Sequence, residues 1–187
     1  MPWCIVGIGN PAQQYADTKH NVGWWVVDEL CRRHNVRLNR QRLRAEYGRG
    51  TIAGQDVVLA KPLTFVNASG DAALRLALFF RIKPEQFVVV LDDMNLPPGT
   101  IRLRRGGSDG GHKGLRSILQ IFGTPDVPRL RIGVGSPPPG TNPVEWVLSP
   151  FEESVLPVIR EAVGRAADCI ETLLACGFER AMQQFNG

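Results

Sequence analysis

No run of apolar side chains among the 187 residues approaches the length needed to cross a membrane, about 18 residues. The opening Met1-Pro2-Trp3-Cys4-Ile5-Val6 enters a strand-like run at once, without a basic leader or small-residue cleavage site, so no signal peptide is expected. Cysteine is scarce. Cys4, Cys31, Cys169 and Cys176 make no CxxC pair and lie in apolar or helical contexts, which predicts buried free thiols in a reducing, cytoplasmic setting, not disulfides or zinc. Histidine is scarcer still, with only His20, His34 and His112. There is no internal repeat and no linker long enough to separate domains, so one domain spanning residues 1–187 is expected, its core drawn from a hydrophobic content of 43%.

Lysine is also short, with 4 against 18 arginines, and the charge is unevenly spread. Seven arginines face a single acid, Glu46, between Arg32 and Gly50. Six arginines and Lys113 face Asp109 and Asp126 between Arg102 and Arg131, whereas seven acids outnumber three arginines from Glu145 onward. Such asymmetry fits a surface that meets a polyanion on one side, and the arginine fork suits phosphate. Clustering without a partner on a soluble surface is the plainer alternative.

Period and punctuation give an alternating α/β order. Trp3–Ile8 reads as a buried strand, Asn21–Arg33 as a helix with Val22, Trp25, Val26 and Leu30 on one face, and Tyr47–Ala53 and Asp56–Ala60 as a hairpin around Gly54-Gln55. A helix over Ser69–Phe80 precedes the continuous apolar run Phe87–Leu91, a central parallel strand. Ile101–Leu103 is a short strand, about 114–122 a helix, and Leu130–Val134 a strand. The proline-rich 137–143 reads as a loop before a helical cover over about 152–185, helical spacing being clearest across Glu152–Leu174. The sum is a three-layer α/β domain with a mixed, mostly parallel sheet flanked by helices.

Four stretches carry candidate chemistry. In Gly7-Ile8-Gly9-Asn10-Pro11, followed by Thr18-Lys19-His20-Asn21, His20 stands just past the first strand, at the sheet end where open α/β proteins bind ligands, and histidine is the commonest base for activating water. Gly7-x-Gly9-x-x-Ala12 also matches a permissive dinucleotide fingerprint. That fingerprint needs a helix to start at the turn, and here Pro11 and a polar segment intervene, so the turn is read as delivering Asn10 to the top of the sheet. Asp92 and Asp93 end the strong strand; they are either partners of an imidazole or caps of their own loop. Arg104 to Gly114, with glycines at 106, 107, 110 and 111 before a helix, is either an anion site or a mobile loop. In Lys61-Pro62 through Gly70, Asn67 reads locally as a helix cap, while its amide, like those of Asn10 and Asn21, could also pair with a peptide main chain.

In this order and spacing the stretches resemble the bacterial-type peptidyl-tRNA hydrolases: Gly7–Pro11, Tyr15, Thr18-x-His20-Asn21-x-Gly23, Lys61-Pro62 … Asn67-x-Ser69-Gly70, Asp92-Asp93-Met94, Gly110-Gly111-His112-x-Gly114-Leu115 and Arg129–Gly135. The resemblance implies cleavage of the ester joining a peptide to the 3′ end of tRNA, by a monomer, without metal or organic cofactor. It implies His20 as general base, Asp92 as the carboxylate orienting it, and Asn10 and Asn67 as positioning residues. Tyr15 would meet the 3′-terminal nucleotide, His112 would line the crevice, and Arg104 and Arg131 would hold tRNA phosphate. Two positions depart from the family pattern. Lys113 stands where asparagine is usual, and Val66 where methionine is usual. The alternative is a non-hydrolytic RNA-binding factor of the same fold, as in the similar plant chloroplast intron-splicing proteins; a nicotinamide-dependent oxidoreductase is a more remote one.

Overall fold

Alternation along the central strands decides the layering. The computed structural model describes residues 1–186; Gly187, the last residue of the expected domain, lies outside them. Its strands are β1 (Trp3–Gly7), β2 (Arg40–Arg42), β3 (Ala45–Ile52), β4 (Gln55–Pro62), β5 (Phe87–Asp93), β6 (Ile101–Arg104) and β7 (Arg129–Gly133). Its helices are α1 (Val22–His34), α2 (Ser69–Phe80), α3 (Lys113–Phe122), α4 (Pro143–Val147), α5 (Leu156–Cys176) and α6 (Phe178–Phe185). The strands form one sheet in the order β2-β3-β4-β1-β5-β7-β6. The middle four, β4, β1, β5 and β7, are mutually parallel, and the flanking pairs β2–β3, β3–β4 and β6–β7 are antiparallel.

Successive residues of a strand point to opposite faces. Ile5, Val57, Leu59, Val88 and Val90 therefore pack with Val22, Val26 and Leu30 of α1 and Ile159, Val163 and Ile170 of α5. Cys4, Val6, Val58, Ala60, Val89 and Leu91 pack on the other face with Ala73 and Leu76 of α2 and Leu115 and Ile118 of α3. A sheet buried on both faces needs apolar residues at consecutive positions, which is why Phe87–Leu91 is an unbroken run.

Several boundaries differ from the sequence expectation by a residue or two, and four departures have a local reason. The hairpin turns at Ala53-Gly54, one residue earlier than expected, because both turn residues take positive φ (52° and 77°) and Gln55 already pairs with Ile52. β5 runs on through Asp92 and Asp93, which pair with Ile132 and Gly133. The C-terminal cover starts at Leu156, with a proline in its first turn, and breaks at Gly177 (φ 92°) into α5 and α6. The stretch read as a proline-rich loop ends in the short helix α4, whose start is capped by the Asn142 side chain accepting from the Val144 amide at 2.8 Å.

Candidate active site

Because β1, β4 and β5 are parallel, the segments leaving them meet at one sheet edge. Asn10 and His20 follow β1, Val66 and Asn67 follow β4, and Asp92 and Asp93 end β5. The start of α3 contributes His112 and Lys113, and α4 closes the opposite side with Pro143, Val144 and Val147. These residues, with Arg131, line a cavity of about 420 Å³.

Helix α1 lies directly on the strand ends. Gly7 and Gly23 face one another: a side chain on Gly7 would run into the Gly23 carbonyl, and one on Gly23 into the Val90 carbonyl and the Ile8 amide. The turn Lys19–Asn21 then enters α1 and carries His20. Asn21 is fully buried. Its carboxamide accepts from the Asn10 amide at 2.8 Å and donates to the Asn10 carbonyl at 3.0 Å. Asn21 thus fixes the Asn10 main chain and does not face the cavity, so of the three amides singled out from the sequence only Asn10 and Asn67 line it. Asn67 is not the cap of α2: that position is Ala68, with no side-chain bond to the helix end, and Ser69 Oγ donates to the Val66 carbonyl at 2.6 Å. The Asn67 side chain is left exposed at the cavity wall.

Asp92 is the hub. His20 Nδ1 lies 3.0 and 2.9 Å from its two oxygens, and His112 Nε2 lies 2.9 Å from Oδ1. The carboxylate is 2% exposed, His20 15% and His112 9%. Burial alone would favour protonated Asp92, but the two imidazoles outweigh it and hold the carboxyl far below its usual range. For His20, burial opposes the charged ring; the charge of Asp92 and the hydrogen bond to it prevail, and its pKa lies above the ordinary 6.5.

The protons can be assigned from the partners. His112 Nδ1 accepts from the amides of Gly114 (3.1 Å) and Leu115 (3.3 Å), capping α3, so its proton sits on Nε2 and is donated to Asp92. His20 donates to Asp92 through Nδ1, which leaves its Nε2 lone pair unengaged among the described residues and at the cavity. These three side chains are also the one cluster of metal-ligating composition among the described residues. Their nitrogen and oxygen atoms are in direct hydrogen-bond contact, so an ion held by all three at about 2.0–2.2 Å would require those bonds to open.

The adjacent carboxylates divide the two roles the sequence left open. Asp93 Oδ1 accepts from the Asn95 amide at 2.8 Å as a loop cap, and its other oxygen lies 3.5 Å from Arg131 Nη1. Several amides at the end of the glycine-rich loop are engaged within the protein: those of Gly114 and Leu115 by His112 Nδ1, and that of Gly111 by Asp109 at 2.7 Å. Buried Arg129 donates to the loop carbonyls of Ser108 (2.7 Å) and Gly107 (3.1 Å) and to those of Pro125 (3.1 Å) and Val127 (2.8 Å) ahead of β7. Burial, with Arg131 nearby and Asp109 opposing, lowers the Arg129 pKa to about 10.

Two expected ligand-binding residues stand outside the cavity lining. Tyr15 is half-buried in the turn Gln13–Tyr15, and Arg104 is exposed on edge strand β6, where its guanidinium meets the Leu103 carbonyl at 3.1 Å. One positioning residue escaped the sequence reading. Lys19 is buried, donates to Ser149 Oγ and the Pro150 carbonyl at 2.9 Å each, and lies 3.8 Å from the centre of the Trp146 ring. Burial lowers its pKa, with Glu152 opposing. It ties the His20 turn to the segment after α4, and no local signal marks a lysine in a polar turn as buried.

The peptidyl-tRNA hydrolase family model matches residues 4–187. The peptidyl-tRNA hydrolase of Elusimicrobium minutum is 44% identical over 182 residues, covering 97% of both chains. That of Moorella thermoacetica is 46% identical over 183 residues, covering 97% of this chain and 96% of its own. The crystal structure of peptidyl-tRNA hydrolase from Acinetobacter baumannii superposes with a TM-score of 0.94 at 35% identity, over 100% of this chain and 95% of that one. Matched from its fourth residue to its last, this chain belongs to the peptidyl-tRNA hydrolase family.

Proposed function

We propose that this chain hydrolyses the ester between a peptide and tRNA with His20 as general base. The observation that carries the reading is the His20 imidazole, held by Asp92 through Nδ1 with Nε2 at the cavity. In this reading Nε2 takes a proton from water as its oxygen adds to the ester carbonyl. Asp92 keeps the ring in the tautomer that leaves Nε2 basic and stabilises the imidazolium that forms. Asn10 and Asn67 hold the ester and the peptide main chain, and the Asn67 carboxamide donates to the developing oxyanion. The proton returns from Nε2 to the leaving ribose oxygen. Val66 and the apolar residues of α4 form the wall against the acyl part, while His112 holds Asp92 from the other side. Arg131 at the cavity, Arg104 on edge strand β6 and Tyr15 in the turn Gln13–Tyr15 receive the tRNA end. The reaction is assigned to the cytoplasm, with a single chain as the working unit.

Purified protein should release the acyl group from an N-acetyl-aminoacyl-tRNA; an intact ester after prolonged incubation would overturn the reading and favour an RNA-binding role without hydrolysis. The pH dependence follows from the need for a neutral His20. Its pKa is raised, so kcat/KM should fall on the acid side with a midpoint above 6.5, the ordinary imidazole value. A profile flat from pH 5 to 8 would remove His20 from the role of base. Salt tests the arginines. If Arg104 and Arg131 meet phosphate, KM for the tRNA substrate should rise steeply with salt while hydrolysis of a small ester should not, because only the former releases counterions. Equal salt sensitivity would remove the phosphate contacts.

A further inference from the structure

We propose that edge strand β2 and the outer flank of α2 form a second binding surface, which holds a single strand of RNA separate from the substrate. None of its residues lines the cavity, so the inference stands apart from the hydrolase reading.

Strand alternation builds the surface. Arg40 and Arg42 lie opposite Tyr47 and Ala45 in the antiparallel β2–β3 ladder, and directly opposed residues share a face of the sheet. Tyr47 and Ala45 belong to the core beneath α2 and α3, so the two arginines emerge on the α2 side. Glu46, the single acid of the arginine-rich stretch, alternates to the other face. Helix α2 borders the arginines closely. Phe80 meets Tyr47 edge-on with ring centres 5.5 Å apart, the Arg49 guanidinium lies 5.7 Å from the Phe80 ring, and Arg44 pairs with Asp71. The carboxylates within this set are committed, Asp71 to Arg44 and Arg75 and Asp56 to Arg49. Arg40 and Arg42 are exposed and make no ion pair or side-chain hydrogen bond among the described residues. Past the helix, exposed Arg81 and Lys83 against Glu85 continue the positive excess.

Beside these charges α2 turns apolar groups to solvent. Leu78 is 70% exposed and Phe79 54%, with the Phe79 ring edge-on to Phe80 at 4.9 Å. Charged residues on an edge strand guard a sheet against pairing with another chain, but that role needs no open aromatic ring one helical turn past Arg75. Arginine forks for phosphate next to an accessible ring for a base are the means by which single strands are held, whereas a duplex keeps its bases stacked within itself. The position separates such a strand from the tRNA end. β2 and β6 are opposite edges of the sheet, six strand spacings or roughly 29 Å apart. α2 starts at Ser69, two residues past Asn67, and carries Phe79 about 15 Å further along its axis. A strand bound there leaves the cavity and Arg131 open, so the protein stays on RNA while the ester site turns over.

Fluorescence anisotropy with a labelled oligouridylate of about twelve nucleotides tests this on the full chain. The proteins compared are wild type, the double variant Arg40→Gln with Arg42→Gln, and Phe79→Ala; thermal melts confirm that each is folded. The double variant should weaken binding and reduce the slope of log Kd against log salt by about 1.4, for two phosphates at about 0.7 each. Phe79→Ala should weaken binding about tenfold with the slope unchanged, and should make no difference to the same oligonucleotide annealed to its complement. Both variants should keep the wild-type kcat and KM on N-acetyl-aminoacyl-tRNA. No binding by the wild-type chain, equal binding by all three proteins, or a loss confined to Arg104→Gln overturns the inference. A raised KM for the tRNA substrate in the double variant overturns it too, because the surface would then serve the substrate. If the strand binds as described and no ester is cleaved, the hydrolase reading fails and this one holds.

Discussion

His20→Ala should reduce kcat on N-acetyl-aminoacyl-tRNA roughly a thousandfold or more, and Asp92→Asn should approach the same loss. The two variants fail for different reasons. Alanine removes the only ring nitrogen at the cavity, among the described residues, that is free to accept a proton, because the Nδ1 lone pair of His112 is committed to the α3 amides. Asparagine keeps the shape of Asp92 but presents an amide donor. With its oxygen in the place of Oδ1 it can still accept from His112 Nε2 and lies within reach of His20 Nδ1, but its amide group then faces the same His20 nitrogen. A His20 ring that accepts that amide on Nδ1 carries its own proton on Nε2 and no longer serves as a base. The imidazolium formed during the reaction also loses its counter-charge. Single-turnover kinetics on each variant, with thermal melts to confirm folding, would measure this; activity within tenfold of wild type for either would sink the assignment.

Gly23→Ala should destabilise the protein by about 3 kcal/mol or more, since overpacking against backbone cannot be relieved by a side-chain rotation. The added methyl would meet the Val90 carbonyl and come within 2.8 Å of the Ile8 amide, which are hydrogen-bonded to each other at 2.9 Å. For a chain of this size that corresponds to a fall in Tm of roughly 6–12 °C. The loss should not stay local. To relieve the contact α1 must lift from the strand ends, and the turn bearing His20 moves with it. Activity measured well below the new melting point should fall as well. A Tm within two degrees of wild type would show that α1 has room to move.

The legible parts of this fold are those where a period runs long enough to be counted. Ser69–Phe80 carries inward apolar residues over three turns and is a helix over that same span, and Phe87–Leu91 is the buried parallel strand its composition implies. Elements without room for a period stayed hidden, three-residue β2 and five-residue α4, as did the single-glycine break that divides the C-terminal cover into α5 and α6. At the site, sequence order brought His20, Asp92, Asn10 and Asn67 under suspicion together, but not the partner each would choose. Asn67 and Asn21 look alike as loop amides; only the packing of α1 makes one a wall of the cavity and the other a brace for the Asn10 main chain. Asp92 and Asp93 are neighbours pointing to opposite sides of β5, so one side reaches the imidazoles and the other the loop and Arg131. His112 doubles as helix cap and carboxylate partner, a combination set by the register of α3 against β5 and invisible in a glycine-rich string.

The four parallel strands have a kinetic consequence. Each parallel neighbour is reached only through a long crossover, and the cavity wall is collected from residues 10 and 20, 66–67, 92–95, 110–113, 131, 143–144 and 147–148. Contacts so distant along the chain form late, because each closes a loop whose entropy must be lost before the contact repays it. Helices and the β3–β4 hairpin can form from local sequence alone, but no fragment ending before α4 contains a complete cavity. Catalytic competence is therefore a property of the finished topology, acquired after most of the secondary structure. A nascent chain still lacking its last third would carry the His20 turn with no Lys19 anchor to receive it.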